Sequence, residues 1–294
     1  MRVSKFVRKK FPSLSGKTVA ISGATGGIGK HLCRHLAILG ASLILMDRNR
    51  KKSRLLGKSL KEEFPNISIS YIKLDLERMD TVYRATERLL ENTPDFLIFN
   101  AGAYHIPRHV CSTGYENVFQ INFIAPYFIA RTLLPAIQKK GGKIVAVSSI
   151  AHDYSVIDEN DIDFRTREKS SLVYGNAKRF LTYALLGNEG VNITHPGITF
   201  TNITAHYPKY VFAIIKHPMK VIFMRPEKAA LSILTGVFST TTPQNESWIG
   251  PRFWGIWGMP CRRPLYTATQ EEKDKIRAIA NDIYTQLSEN GEIL

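Results

Sequence analysis

The chain has 294 residues, 44% of them apolar, and a formal net charge of +15. That apolar share supports a sizeable core, and the basic excess suggests anionic cofactors, membranes or nucleic acid without deciding the fold. Cys33, Cys111 and Cys261 are scattered, which excludes a disulfide framework and a metal-ligand spacing. Residues 1–16 form a basic leader whose start, Met1–Lys10, lacks the apolar run of a signal peptide. No apolar stretch reaches the ~18 residues of a membrane span. A reducing cytoplasm is the simplest setting, and residues 17–294 are expected to form one domain.

Lys17–Ser22 reads as a short buried strand. Gly23-Ala24-Thr25-Gly26-Gly27-Ile28-Gly29 follows, and Ile28, Leu32, Leu36 and Leu39 then recur at helical spacing up to Gly40. Strand, glycine turn and helix in that order make a phosphate-binding start. The glycines admit a pyrophosphate to the backbone, and the helix N-terminus offers free N–H groups and positive potential. Ser42–Asp47 is a second strand. Asp47 lies 20 residues beyond Gly27, where a carboxylate would meet an adenosine ribose. Arg48 beside it would suit a 2′-phosphate. Neither Thr25 nor Gly26 adds a basic partner, so the expected cofactor is NAD, with NADP as the alternative.

Arg50–Phe64 reads as a basic helix, Ile67–Leu74 as a strand ending at Asp75, and Met79–Glu91 as a helix. Asp95–Phe99 is a strand running into Asn100-Ala101-Gly102. A long helix spans about Tyr115–Lys139. Pro126 has no N–H for the Asn122 carbonyl, so a kink is expected there that leaves this oxygen available. Lys143–Ser149 is the next strand. Strands alternating with helices imply an α/β fold with a parallel sheet; the arrangement expected is doubly wound and Rossmann-like, of order 3-2-1-4-5-6-7. Ligands bind at the carboxyl ends of such strands, where Asp47, Asp75, Asn100 and Ser149 stand.

Ile150–Val173 is a long charged connection. In the helix after it, Tyr174 and Lys178 are four residues apart and share one face. A phenol beside an ammonium, with a serine upstream, is an acid/base set suited to an alcohol or carbonyl oxygen. Val191–Thr194 is a strand, and His195 before Pro196-Gly197 reads as structural. The 204–224 stretch, apolar and basic by turns, reads as a substrate lid; with the leader it is also a candidate peripheral membrane contact. Pro226 opens a helix. A last helix begins at the capping box Thr269-Gln270-Glu271-Glu272 and places Ile276, Ile279, Ile283 and Leu287 on one face. No nucleic-acid reading module is evident, and His105, His109 and His152 lack ligand spacing, so neither nucleic acid nor a metal is expected.

The ordered series Ser22-Gly23-x-x-x-Gly27-x-Gly29, Asp75-Leu76, Asn100-Ala101-Gly102, Asn122, Ser149, Tyr174-x-x-x-Lys178 and Pro196-Gly197 resembles the short-chain dehydrogenase/reductase family. The interval from Ser149 to Tyr174, with Asp161-Ile162-Asp163-Phe164 inside it, is similar to the retinol-dehydrogenase-like branch. The resemblance implies that Tyr174 is the general acid/base and that Lys178 lowers its pKa and holds the nicotinamide ribose. Ser149 would bond the reacting oxygen, and Asn122 would support a relay water. Ser22, Gly23, Gly27, Ile28 and Gly29 would line the pyrophosphate, Asp75 and Leu76 the adenine, Asn100 to Gly102 the central cofactor, and Thr201 the nicotinamide side. The implied reaction is hydride transfer between a nicotinamide cofactor and a small apolar alcohol or ketone. The alternatives are an isomerase or dehydratase using the same Tyr–Lys pair and a non-catalytic cofactor sensor. The expected location is cytoplasmic or peripheral to a membrane, with a homo-oligomer left open.

Overall fold

A computed structural model of the chain describes residues 3–199, 223–241 and 246–291. Thr201 and the 204–222 part of the expected lid lie outside these residues. The strands are β1 (Thr18–Ser22), β2 (Ser42–Asp47), β3 (Ile69–Lys73), β4 (Phe96–Phe99), β5 (Lys143–Val147), β6 (Val191–Thr194), β7 (Ser247–Phe253) and β8 (Trp257–Pro264). They form one sheet of order β3-β2-β1-β4-β5-β6-β7-β8. All neighbours are parallel except β8, which returns antiparallel to β7. The expected order is therefore present, extended by one strand. The aromatic, glycine-rich stretch after Trp248 is the hairpin that adds it.

The strand sequences are almost wholly apolar because both faces of the sheet are covered. Alternate residues serve opposite layers. Ala20, Ile44, Met46, Leu97 and Phe99 join one core, whereas Val19, Ile21, Leu43, Leu45 and Ile98 join the other. The helices are α1 (Val3–Lys10), α2 (Gly29–Ile38), α3 (Arg50–Glu63), α4 (Met79–Glu91), α5 (Asn117–Phe119), α6 (Ala125–Lys139), α7 (Ser170–Leu185), α8 (Pro226–Phe238) and α9 (Gln270–Gly291). A π-helical turn, Gln120–Ile124, joins α5 to α6.

The leader is part of this packing. Val7 of α1 is fully buried, and Phe11 lies 5.3 Å from Phe238, ring centroid to centroid. The Leu14 N–H donates to the Leu39 carbonyl at 2.7 Å, just before β2 begins, so the leader sits near the amino edge of the sheet. Its apolar side chains pack inside the fold while Lys5, Arg8, Lys9 and Lys10 stay exposed, and most of the lid that would complete the expected membrane contact lies outside the described residues.

The capping box at α9 forms by half. The Glu272 N–H donates to Thr269 Oγ1 at 3.2 Å, but the Glu272 carboxylate turns to Arg179 of α7. Arg179 Nε and Nη2 each meet a Glu272 oxygen at 2.6 Å, and the remaining donors reach the carbonyls of His152 at 2.9 Å and Thr267 at 2.6 Å. The pair is almost fully buried, at 3% and 11% side-chain exposure. Removing one partner of such a pair strands a buried charge and costs about 3–5 kcal/mol. Glu272→Gln is expected to lower stability by an amount of that order in urea unfolding, and an unchanged midpoint would show that the pair is dispensable.

Candidate active site

The connections from β1 and from β4 leave for opposite faces, and the crevice between their carboxyl ends is where such sheets bind ligands. Two loops meet closely there. Gly23 has φ 66, and a Cβ on it would lie 2.8 Å from the Ala101 Cα. A Cβ on Gly29 would lie 2.2 Å from the Gly23 carbonyl oxygen. Asn100 Nδ2 donates to the carbonyls of Ser22 at 3.2 Å and Gly23 at 2.9 Å, and the Ala101 N–H donates to Ser22 Oγ at 3.1 Å. Gly23 and Gly29 are thus demanded by close backbone approach, and Ser22 and Asn100 lock one loop to the other. The cradle presents backbone and the N-terminus of α2, which fits a pyrophosphate.

The end of β2 carries Asp47, the residue expected at an adenosine ribose. The buried Asp47 carboxylate turns inward, accepting from Thr25 N at 3.1 Å, Thr25 Oγ1 at 3.0 Å and Ser53 Oγ at 2.9 Å. It holds the glycine turn to α3, and both oxygens are engaged. Arg48, by contrast, is exposed. Asn49 caps α3 by accepting from Lys52 N at 3.0 Å. At the end of β3, Asp75 closes a turn through Glu77 N at 3.3 Å. Gln120, which the sequence reading missed, fixes this turn by donating to the carbonyls of Leu76 at 3.3 Å and Glu77 at 2.7 Å.

Asn122 lies in the π-helical turn, fully buried. Its Nδ2 donates to the carbonyls of Ala103 and Val118, each at 2.8 Å, so the side chain ties the turn to the loop after β4. The expected helix irregularity is present as this π turn, in which the Ala125 N–H reaches back to the Gln120 carbonyl. A Cβ on Gly102 would lie 2.7 Å from Asn122 Oδ1 and 3.6 Å from Lys178 Nζ, so Gly102 leaves room for both.

Lys178 is 3% exposed, and its ammonium donates to the Val147 carbonyl at 2.9 Å. Its Nζ lies 5.7 Å from the centre of the Tyr174 ring. Helix α7 comes this close because of Gly175, where a Cβ would stand 2.4 Å from the Ala151 carbonyl oxygen. Sequence reading passed over that glycine because a helix interior gives it no visible purpose. Ser148 points away, its hydroxyl 2.6 Å from Thr182 Oγ1 within the core, while the Ser149 hydroxyl faces Tyr174. Tyr104, also unforeseen, packs edge-on against Tyr174 with centroids 5.2 Å apart.

Burial dominates the electrostatics. It pushes the Tyr174 phenol up to about 12, against the pull of the Ser149 hydroxyl. It pushes the Lys178 ammonium down to about 7. A lysine-lowered phenol is therefore not what the chain alone displays, since both groups are desolvated and the ammonium is turned to a carbonyl. His195 stacks on Trp248 at 5.1 Å, and burial pushes its pKa down to about 3, consistent with a structural ring. His152 Nδ1 lies 2.6 Å from the Ser149 carbonyl oxygen and steadies the turn after Ser149. Folding also gathers Glu77, His109 and Cys111, ligand-type atoms within 4.8 Å of one another, a grouping invisible in their spacing. His109 Nε2 lies 2.9 Å from Glu77 Oε1 there.

A glycine cradle at the switch point of a parallel sheet, with a serine, a tyrosine and a lysine alongside, defines a dinucleotide-dependent oxidoreductase. Comparison with known proteins agrees. The family model described as short chain dehydrogenase matches residues 17–159. Human retinol dehydrogenase 14 is 28% identical over 281 residues, 86% of this chain and 82% of that protein. Human polyprenol dehydrogenase is 26% identical over 262 residues, 82% and 77% of the two chains. A solved structure of an uncharacterised protein from Mycobacterium paratuberculosis superposes with a TM-score of 0.70 at 22% identity, covering 96% of each chain. The chain belongs to the short-chain dehydrogenase/reductase family and is an NAD(P)-dependent oxidoreductase.

The two shifted groups give opposite pH signatures. From about pH 7 to 10.5 Lys178 is neutral when folded and charged when unfolded. The unfolded chain then binds the extra proton, so stability rises with pH across that window. From pH 10 to about 12 the folded Tyr174 keeps a proton that the unfolded chain has lost, and stability falls. Urea unfolding of the cofactor-free protein should show a rise between pH 7 and pH 10 that is absent in Lys178→Met. Parallel profiles for the two proteins would contradict the buried-lysine reading.

Proposed function

We propose that the chain transfers a hydride between NADP(H) and the hydroxyl or carbonyl carbon of an apolar alcohol or ketone, with Tyr174 moving the proton. The observation that carries this reading is the meeting of Ser149, Tyr174 and Lys178 beside the glycine cradle. In the reductive direction the Tyr174 hydroxyl gives its proton to the oxygen that becomes the alcohol, and in the oxidative direction it takes that proton back. The Ser149 hydroxyl holds the same oxygen. Lys178, buried and close to the Tyr174 ring, stabilises the phenolate when protonated and has donors left for the nicotinamide ribose. Asn122 holds the loop after β4 against the lysine. When bound, the dinucleotide would supply or accept the hydride. An apolar substrate is supported by the names of two relatives, which refer to retinol and polyprenol.

The choice of NADP rests on the end of β2. The NAD expectation needed a free Asp47 carboxylate, and that carboxylate is occupied by Thr25 and Ser53. Arg48 and Arg50 are exposed beside it, and a guanidinium pairs well with a 2′-phosphate.

Tyr174→Phe keeps the ring packing and removes the proton, so turnover of a responsive alcohol or ketone is expected to fall ~10²–10⁴-fold. Turnover at the parent rate would rule out the assignment. In binding titrations NADPH should be preferred over NADH, and Arg48→Gln should weaken NADPH roughly tenfold with little effect on NADH. Equal losses for both cofactors would return Asp47 to the ribose.

A further inference from the structure

Among the described residues, the β7–β8 hairpin exposes a group of large apolar side chains. Phe253 is 49% exposed, Trp254 73%, Trp257 45% and Met259 50%. They form one cluster, with ring centroids 5.3 Å apart for Phe253–Trp257 and 6.1 Å for Trp254–Trp257. Trp257 and Met259 are two residues apart on β8 and share a face. Trp254 has φ 50, an unfavourable conformation for a bulky side chain. An exposed apolar patch on a strained turn calls for a partner.

Charge narrows the choice. From Ser247 to Gln270 the sequence has no acidic residue, but it has Arg252, Arg262 and Arg263. Arg262 gives its donors to Ser247 Oγ at 2.9 Å and the Thr240 carbonyl at 2.8 Å rather than to a carboxylate, and Arg252 is exposed. Arg262, on the opposite face of β8 from Trp257 and Met259, is spent on these bonds, which leaves Arg252 beside Phe253 as the exposed cation of this face. A second copy docked here would offer it no carboxylate. Tryptophan and phenylalanine with interspersed arginine suit the boundary between anionic headgroups and acyl chains. There the rings sit amphipathically and the cations meet phosphates.

Position links the patch to the active site. A Cβ on Gly255 would lie 3.3 Å from the Ile150 side chain, and Ile150 directly follows Ser149. The Ile198 N–H donates to the Ile256 carbonyl at 3.3 Å, so the hairpin tip borders the carboxyl edge of the sheet, opposite the edge that carries the leader.

We propose that the β7–β8 hairpin docks on the surface of an anionic bilayer, delivering an apolar substrate from the membrane to the Ser149–Tyr174 site. The delivery half rests on the function proposed above; the docking half stands without it.

The full chain should float with phosphatidylcholine/phosphatidylserine vesicles at low salt, less at high salt, and poorly with phosphatidylcholine alone. Its tryptophan emission should shift to the blue on binding. Trp254→Ser/Trp257→Ser should bind roughly tenfold or more weakly, and Arg252→Gln should weaken the dependence on phosphatidylserine. Thermal unfolding checks that each variant is folded, and Trp254→Gln alone replaces the double variant if that one is not. Turnover of a water-soluble ketone should be unchanged in the variants, while turnover of a vesicle-embedded alcohol should fall with binding. A parent that binds vesicles but turns over neither substrate would defeat the function and leave the docking intact. Absence of vesicle binding, binding indifferent to the tryptophan changes, or a dimer that those changes dissociate would overturn the docking.

Discussion

Lys178 holds its ammonium where water does not reach, on the Val147 carbonyl 2.9 Å away. A cation so placed is costly unless its surroundings are rigid and partners are at hand, and much of the neighbouring architecture supplies that rigidity. Gly175 lets α7 press on the turn after Ser149. The Ser148–Thr182 hydrogen bond and the Arg179–Glu272 pair then fix the same helix to β5 and to α9. The charge of Lys178 is therefore tied to the seating of α7, and α7 is seated by residues that never approach a substrate.

The crevice between β1 and β4 follows a second constraint, close approach of backbone to backbone. Gly23 gives up a side chain so that the loops after β1 and β4 can touch, Gly29 does so where the glycine turn folds back on itself, and Asn100 and Ser22 bond across the contact between the loops. Asp47 belongs to this scaffold. Its carboxylate braces the glycine turn against α3, while Arg48 and Arg50 just after β2 stay exposed. The cofactor cradle and the acid/base set thus share one rigid base, and the β7–β8 hairpin borders it with a surface of different character, aromatic and basic.

The sequence alone determined the alternation of strands and helices, the position of the glycine turn, and the placing of Tyr174 and Lys178 on one helix face. Each of these rests on local pattern: buried parallel strands are continuous apolar runs, helices repeat near 3.6 residues, and glycines mark forced turns. Element ends differ by a few residues, as at β3, because termini are settled by hydrogen bonding across strands. What the tertiary structure decided depends on neighbours distant in the chain. Asp47 reads as a ribose ligand, and its bonds to Thr25 and Ser53 appear only in the fold; Glu272 reads as a capping residue until Arg179 takes its carboxylate. Gly175 shows a purpose only when Ala151 lies against it, and the acid/base pair shows its opposed shifts only when both groups are buried. The leader looks like a free basic tail because nothing near it in sequence announces Phe238. Proximity across tens to hundreds of residues sets partners, burial and protonation, and no local pattern encodes them.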